Sequence, residues 1–187
     1  MHKFNNDTLK VFPFQYELRV IYTLDGTCLK IDYNIKNLDK EKMYFSIGSH
    51  EAYYCPEGIE EYSVVFETAE NLEYNNYTKG LLDYTTESFG DNMTELPLKY
   101  EYFSKISLTF FNLRSKRFAL LNRKTGRKIE VKIDDNPSSF TLFSRPGRQY
   151  MCLEPWCGMT DYIDTDYDFK NKKGIVALDG YDEKTIS

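Results

Sequence analysis

The feature that most constrains this chain is an alternation interrupted by a turn. From Phe14 to Leu24 apolar and polar residues take turns through Tyr16, Leu18, Val20 and Tyr22; after Asp25-Gly26 the alternation resumes through Leu29, Ile31, Tyr33 and Ile35. A period of two puts every second side chain on one face, which is the signature of a half-buried strand. Asp-Gly between two such runs predicts a hairpin, its two central residues in a type I′ turn where both φ angles are positive.

The same logic repeats along the chain. Arg117–Leu121, the turn residues Lys124-Thr125-Gly126-Arg127, and the alternating Ile129, Val131 and Ile133 predict a second hairpin. Shorter strands are expected at 43–47, 62–67, 107–113, 139–143, 150–154 and 174–178. The residues Asp7 to Phe12 read as a strand, and Gly180 to Ser187 as the start of another that stops after its first apolar residue. Pro97 suits the first turn of a short helix over 96–104. Residues 70–92, rich in Asn, Tyr, Thr and Gly, read as a long loop with at most a brief strand. With 16 Tyr and 13 Phe the composition also favours pleated surfaces. Many short strands with close turns predict an all-β, antiparallel β-sandwich or barrel over 1–187 as a single domain, with exposed edges through which copies of the chain could associate.

At 187 residues the chain can bury roughly 70% of its unfolded surface, enough for a core without staples. No run of eighteen apolar residues exists to span a bilayer, so no membrane partner is expected. The net charge of −5 repels polyanions, and no nucleic-acid partner is expected. The locally basic stretch from Arg114 to Lys128 flanks the second hairpin and reads as its solvated face. The four cysteines, Cys28, Cys55, Cys152 and Cys157, form no C-x-x-C pair, and with only His2 and His50 beside them no zinc cluster is expected. Free thiols and an N-terminus without an apolar core segment imply a cytoplasmic protein.

Two residues stand out for chemistry. His50 follows Phe45-Ser46-Ile47-Gly48-Ser49, so a strand ending there aims its imidazole off the sheet, with Gly48 permitting close backbone approach. A histidine in that setting is more often simply hydrogen-bonded than catalytic. Glu154 sits in Leu153-Glu154-Pro155-Trp156-Cys157-Gly158, beside the only tryptophan, where partial burial raises a carboxyl pKa toward that of a useful general base. An edge-strand glutamate next to a packing indole fits those residues equally. No G-x-S-x-G elbow and no phosphate-binding glycine loop occurs.

Together the segments Tyr16–Gly26, Ile35–Asp39, Phe45–His50, Ser144–Gly147 and Leu153–Met159 resemble the aldose 1-epimerase, or galactose mutarotase-like, family, most closely its LacX-like branch. The resemblance runs through almost the whole chain and implies a β-supersandwich with a sugar groove on a concave sheet. It implies that Glu154 removes the anomeric hydroxyl proton, that His50 protonates the ring oxygen, and that Trp156 stacks on the sugar. The pair is expected on opposite sides of a hexose-sized hollow, interconverting α and β anomers of a small-molecule sugar without metal or organic cofactor.

Several positions depart from the family pattern. His50 is followed by Glu51-Ala52-Tyr53 where His-Pro-Ala-Phe is usual, and Ile106 takes the place of an acidic sugar contact. The family's N-terminal strands, with an arginine and a further histidine, find no counterpart, and the last strand is short. The alternative implied by these departures is a carbohydrate-binding relative that has lost turnover.

Overall fold

Period-two patterning becomes strand almost throughout the structure, a computed structural model that describes residues 1–104, 107–133 and 137–187. Ile106 lies outside the described residues. The chain divides into two compact units, Met1–Phe45 with Ile175–Ser187, and Ser46–Gly174.

In the first unit β1 (His2–Lys3), β2 (Tyr16–Asp25), β3 (Cys28–Asn37) and β15 (Glu183–Ile186) form one antiparallel sheet in the order β1-β2-β3-β15. A separate pair joins β4 (Met43–Phe45) to β14 (Val176–Leu178). The first hairpin is present, with a different turn. Asp25 pairs with Cys28, so the central residues are Gly26 and Thr27, and of these only Gly26 has positive φ, at 57°. That is the pattern of a type II′ turn with glycine at its first central position, and it spares Asp25 the left-handed conformation that a type I′ turn would impose. Asp7–Phe12 is not a strand. Asn5 Oδ1 accepts from the amides of Asp7 and Thr8 at 2.8 and 3.0 Å, and Thr8–Lys10 winds into a 3-10 turn. This local side-chain bonding outcompetes extension. Asn37, buried, ties the unit's two ends together: its amide donates to the carbonyls of Glu41, Leu178 and Asp179 at 2.7, 3.2 and 3.0 Å.

The second unit holds β5 (Ile47–Gly48), β6 (Glu51–Tyr54), β7 (Tyr62–Thr78), β8 (Leu81–Pro97), β9 (Leu108–Phe110), β10 (Arg117–Asn122), β11 (Lys128–Lys132), β12 (Ser139–Phe143) and β13 (Tyr150–Cys157). They make one sheet in the order β11-β10-β7-β9-β12-β13-β5, with β6 also on β13 and β8 on β7. Pairing is antiparallel in every sheet; among the described residues one isolated parallel bridge joins Leu82 and Tyr162. The second hairpin forms as expected, and its basic residues pair with nearby carboxylates: Arg117 with Glu130 at 3.3 Å, Lys124 with Glu61 at 3.0 Å, Lys128 with Glu130 at 3.3 Å.

The largest departure from the sequence reading lies in the supposed loop at 70–92. It is two 17-residue strands, β7 and β8, joined at Lys79-Gly80. Both turn residues have positive φ, 52° and 85°, so this is the type I′ turn expected elsewhere; a lysine in the first position hid it. Polar side chains bond across the pair, Asn75 to the Asp83 carbonyl at 2.7 Å and Tyr74 to Glu87 at 2.8 Å, so strand is sustained without apolar alternation. Pro97 ends β8 and starts no helix, and only Tyr100–Phe103 coils, as a 3-10 turn. Among the described residues no helix is long and apolar enough to cross a membrane.

One face of this sheet is the core. Val64, Phe66, Leu108, Phe110, Phe118, Leu120, Phe140, Leu142, Met151 and Leu153 are buried together, with Phe118 and Phe140 stacked 3.9 Å apart. A buried carboxylate pins the connection between β9 and β10: Glu70 Oε1 accepts from the amides of Arg114 and Ser115 at 2.9 and 2.6 Å and from the Ser115 hydroxyl at 2.7 Å. Glu70→Ala strands these buried donors. We expect a loss of about 2–4 kcal/mol, since each unsatisfied buried donor costs roughly 1–3 kcal/mol. Urea titration checks this, and a midpoint within error of the parent chain would contradict it.

Candidate functional site

The other face of the same sheet is polar. Along β13 the side chains alternate, Met151 and Leu153 into the core, Cys152, Glu154 and Trp156 onto the opposite face. Glu154 stands opposite Thr141, which stands opposite Thr109. The two threonine hydroxyls are 3.0 Å apart, and the Tyr77 hydroxyl lies 3.0 Å from that of Thr109. A hydrogen-bonded polar row therefore runs across the strands toward Glu154.

Register also explains how His50 reaches this row. Gly48 pairs with Trp156 on one side of the break between β5 and β6, and Ala52 pairs with Cys152 on the other. The residue midway, His50, falls opposite Glu154. Its Nδ1 is 3.2 Å from Glu154 Oε1. The His50 side chain is 54% exposed and its ring meets the Phe143 ring edge-on at 6.1 Å.

Glu154 itself is only 4% exposed. Trp156 Nε1 donates to its Oε2 at 3.2 Å. Oε1 has no well-aligned hydrogen bond among the described residues: His50 Nδ1 is at ion-pair distance but off the line a hydrogen bond requires. Burial raises the Glu154 pKa above its ordinary 4.5; the His50 charge and the Trp156 donor pull the other way, and Glu51 adds to the rise. The result is a carboxylate with one oxygen held by Trp156 Nε1 and the other buried against the His50 imidazole.

Trp156 owes its place to Gly48. A Cβ added at Gly48 would meet Trp156 Cε3 at 2.2 Å, so one face of the indole lies directly on the glycine. The close approach expected at that glycine is therefore made to the tryptophan.

The sequence reading overlooked Cys152. Its thiol, Glu154 and His50 bring three potential ligand atoms within 4.8 Å of one another. Paired-cysteine spacing is the wrong test for such a site; two residues apart on a strand, hence on one face, was the available signal. Cys152 is 2% exposed, and burial pushes its thiol up to about 11, so it holds its proton at neutral pH. Cys28, Cys55 and Cys152 form no disulfide. The hexose-width hollow expected between His50 and Glu154 is not what the geometry shows, because the two side chains are in direct contact.

A cavity of about 210 Å³ opens in the segment 161–173. Its charged groups are already matched: Lys172 pairs with Asp161 at 3.1 Å, Asn171 donates to Asp166 at 2.8 Å, and Lys173 lies 4.0 Å over the Tyr162 ring. Among the described residues lining it, no carboxylate is buried as Glu154 is.

The family profile described as aldose 1-epimerase matches residues 1–180. Protein LacX (plasmid) of Lactococcus lactis subsp. lactis is 33% identical over 182 residues, covering 93% of this chain and 61% of its own. Among solved structures, a galactose mutarotase related enzyme from Lactobacillus acidophilus superposes with a TM-score of 0.90 at 24% identity, over 99% of this chain and 64% of its own. A galactose mutarotase-like protein from Lactobacillus casei ATCC 334 gives 0.88 at 24% identity, over 99% and 66%. The chain thus has their β-sandwich fold and spans somewhat less than two thirds of the length of these relatives.

Proposed function

Because the chain belongs to the aldose 1-epimerase family, we propose that it interconverts the α and β anomers of a hexose through Glu154 and His50. The observation that carries the reading is the buried Oε1 of Glu154, which takes no hydrogen bond among the described residues and has the His50 imidazole 3.2 Å away.

Ring opening of a pyranose requires one proton to leave the anomeric O1 while another reaches the ring O5. The reaction needs Glu154 as carboxylate and His50 as proton donor at its start, and the neighbouring His50 charge pulls the Glu154 pKa back toward its ordinary value, which favours the carboxylate. Glu154 Oε1 takes the O1 proton. His50 gives its proton to O5, the C1–O5 bond breaks, and an open-chain aldehyde remains. Rotation about C1–C2 and reversal of both transfers closes the other anomer and restores both groups. His50, half exposed, has room to swing from the carboxylate toward a bound ring. Trp156 then holds Glu154 through its N–H, which supports a positioning role beside the sugar stacking implied by the family resemblance. The unbridged thiols of Cys28, Cys55 and Cys152 are in keeping with a cytoplasmic site of action.

Polarimetry of freshly dissolved α-D-glucose and α-D-galactose tests the proposal: added protein accelerates the approach to the equilibrium rotation. The rate has a distinctive acid limb. Base catalysis needs ionised Glu154, whose pKa is raised, so activity falls at a pH above the ordinary carboxylate value of 4.5. Stability moves differently. A raised carboxyl pKa means the cost of burying the charge vanishes as pH falls, whereas Glu57 and Glu183, whose pKa values are lowered, withdraw their stabilisation only below the ordinary range. We expect activity to be lost on acidification before the fold is; a rate that stays level until unfolding would count against Glu154 as base.

A second reading, a sugar binder without turnover, is favoured by the direct contact of His50 with Glu154, which leaves no hexose-sized gap between them. It predicts a sugar-dependent rise in melting temperature with no change in mutarotation rate.

A further inference from the structure

We propose that His50, Cys152 and Glu154 form a binding site for a thiophilic divalent cation of the zinc class, and that the bound cation blocks the acid/base pair. The site itself stands on side-chain geometry; only the effect on turnover rests on the reading above.

Three donors of different chemistry converge here: an imidazole nitrogen, a thiol sulfur and a carboxylate oxygen, all within 4.8 Å. A tetrahedral zinc ion with bonds of about 2.0–2.3 Å holds its ligand atoms roughly 3.5 Å apart. Closing the set therefore requires movements of about 1 Å, and His50, the half-exposed member, can supply them. The other two ride on the same face of β13, two residues apart, with His50 opposite Glu154 in the break between β5 and β6. The register of the flanking strands β5 and β6 on β13 brings the three donors together.

A second observation points to a cation independently. Glu154 Oε1 is buried without a hydrogen bond among the described residues and faces the His50 Nδ1 at 3.2 Å, so a cation bound to both atoms would supply the compensation that a buried carboxylate oxygen needs. Glu51 adds a further negative field on both Cys152 and Glu154. Nitrogen, sulfur and oxygen donors, three in number, match the open sites of zinc, whereas magnesium and calcium ask for six or more oxygens. Binding breaks the Cys152 S–H bond, forms a metal–sulfur bond and releases that proton to solvent; no electrons are transferred. The ion would occupy the open lone pair of Glu154 and the nitrogen of His50, the two positions that ring opening requires.

The test uses the whole chain and the metals alone. Titration with Co²⁺ in the absence of sugar should give one equivalent of binding with thiolate-to-cobalt charge-transfer absorption, bleached by Zn²⁺. His50→Ala and Cys152→Ala should each weaken Zn²⁺ binding at least about tenfold, measured by competition with a chromophoric chelator. Circular dichroism verifies folding; His50, being half exposed, provides a variant that does not disturb the core. Cys28→Ser, at an exposed thiol, should leave Zn²⁺ affinity unchanged. In a mutarotation assay Zn²⁺ should inhibit with the constant measured by titration, and the concentration halving the rate should rise at least tenfold in Cys152→Ala. Absence of the thiolate band, affinity indifferent to both His50→Ala and Cys152→Ala, or binding abolished by Cys28→Ser would overturn the site. A chain with no mutarotation but with this metal signature would defeat the enzymatic reading alone.

Discussion

Replacing Glu154 by Gln should slow mutarotation by about 10²–10⁴-fold, the range over which a positioned general base contributes, and leave the fold intact. The substitution preserves size, and the amide oxygen can go on accepting from Trp156 Nε1, which now lies 3.2 Å from Oε2. What it removes is a charge held at 4% exposure, so at neutral pH the variant should melt at the same temperature as the parent or slightly above it. Loss of rate with retained stability separates catalysis from scaffolding. Polarimetric rates for the two proteins differing by less than threefold would remove Glu154 from the mechanism, and a variant that fails to fold would assign it a structural role instead.

Gly48→Ala should be among the most damaging single-methyl additions available in the second unit. Its Cβ would lie 2.2 and 2.3 Å from two indole carbons of Trp156 and 2.8 Å from the backbone oxygen of Pro155. The ring could swing away, but the backbone oxygen belongs to the paired strand β13 and cannot yield without disturbing the sheet. Overpacking of this kind costs about 3 kcal/mol at the upper end of its usual range, which lowers Tm by roughly 6–12 °C in a chain of this size. The catalytic consequence is separable from the loss of stability. Displacing Trp156 withdraws a hydrogen bond from Glu154 Oε2, and with that donor gone the Glu154 pKa rises further, so the acid limb of the rate should move to higher pH. Calorimetry reads the first effect and a pH–rate profile the second. An unshifted limb in the folded fraction would show that the indole does not tune the carboxylate.

Much of the fold is visible in residue patterns because it is governed by local rules. Alternation at Tyr16–Asp25 and Cys28–Asn37, and glycine at the turn between them, is enough to produce a hairpin wherever the chain is placed. The β7–β8 hairpin escaped that logic for a physical reason. Its strands are held by cross-strand polar bonds such as Asn75 to Asp83 and Tyr74 to Glu87, and its type I′ turn has lysine where asparagine or aspartate is the usual signal. Polar strands of this sort look like loop until their partner is known. The N-terminal stretch failed in the opposite sense, since Asn5 and Thr8 offered the backbone nearby partners that alternation counting does not register.

For the site, residue chemistry singled out Glu154 and His50, whose types and neighbours imply proton transfer. It also supplied the spacing that keeps Cys152, Glu154 and Trp156 on one face of one strand. What it could not contain is the register of β13 against β5 and β6, which sets His50 opposite Glu154 across 104 positions of sequence and adds Cys152 to the pair. Register between distant strands is decided by how the whole sheet packs its core, Leu153 and Met151 on one side forcing Glu154 to the other. That is why the identity of the candidate acid and base is a property of the chain, whereas their contact, the buried oxygen between them and the thiol beside them belong to the tertiary structure.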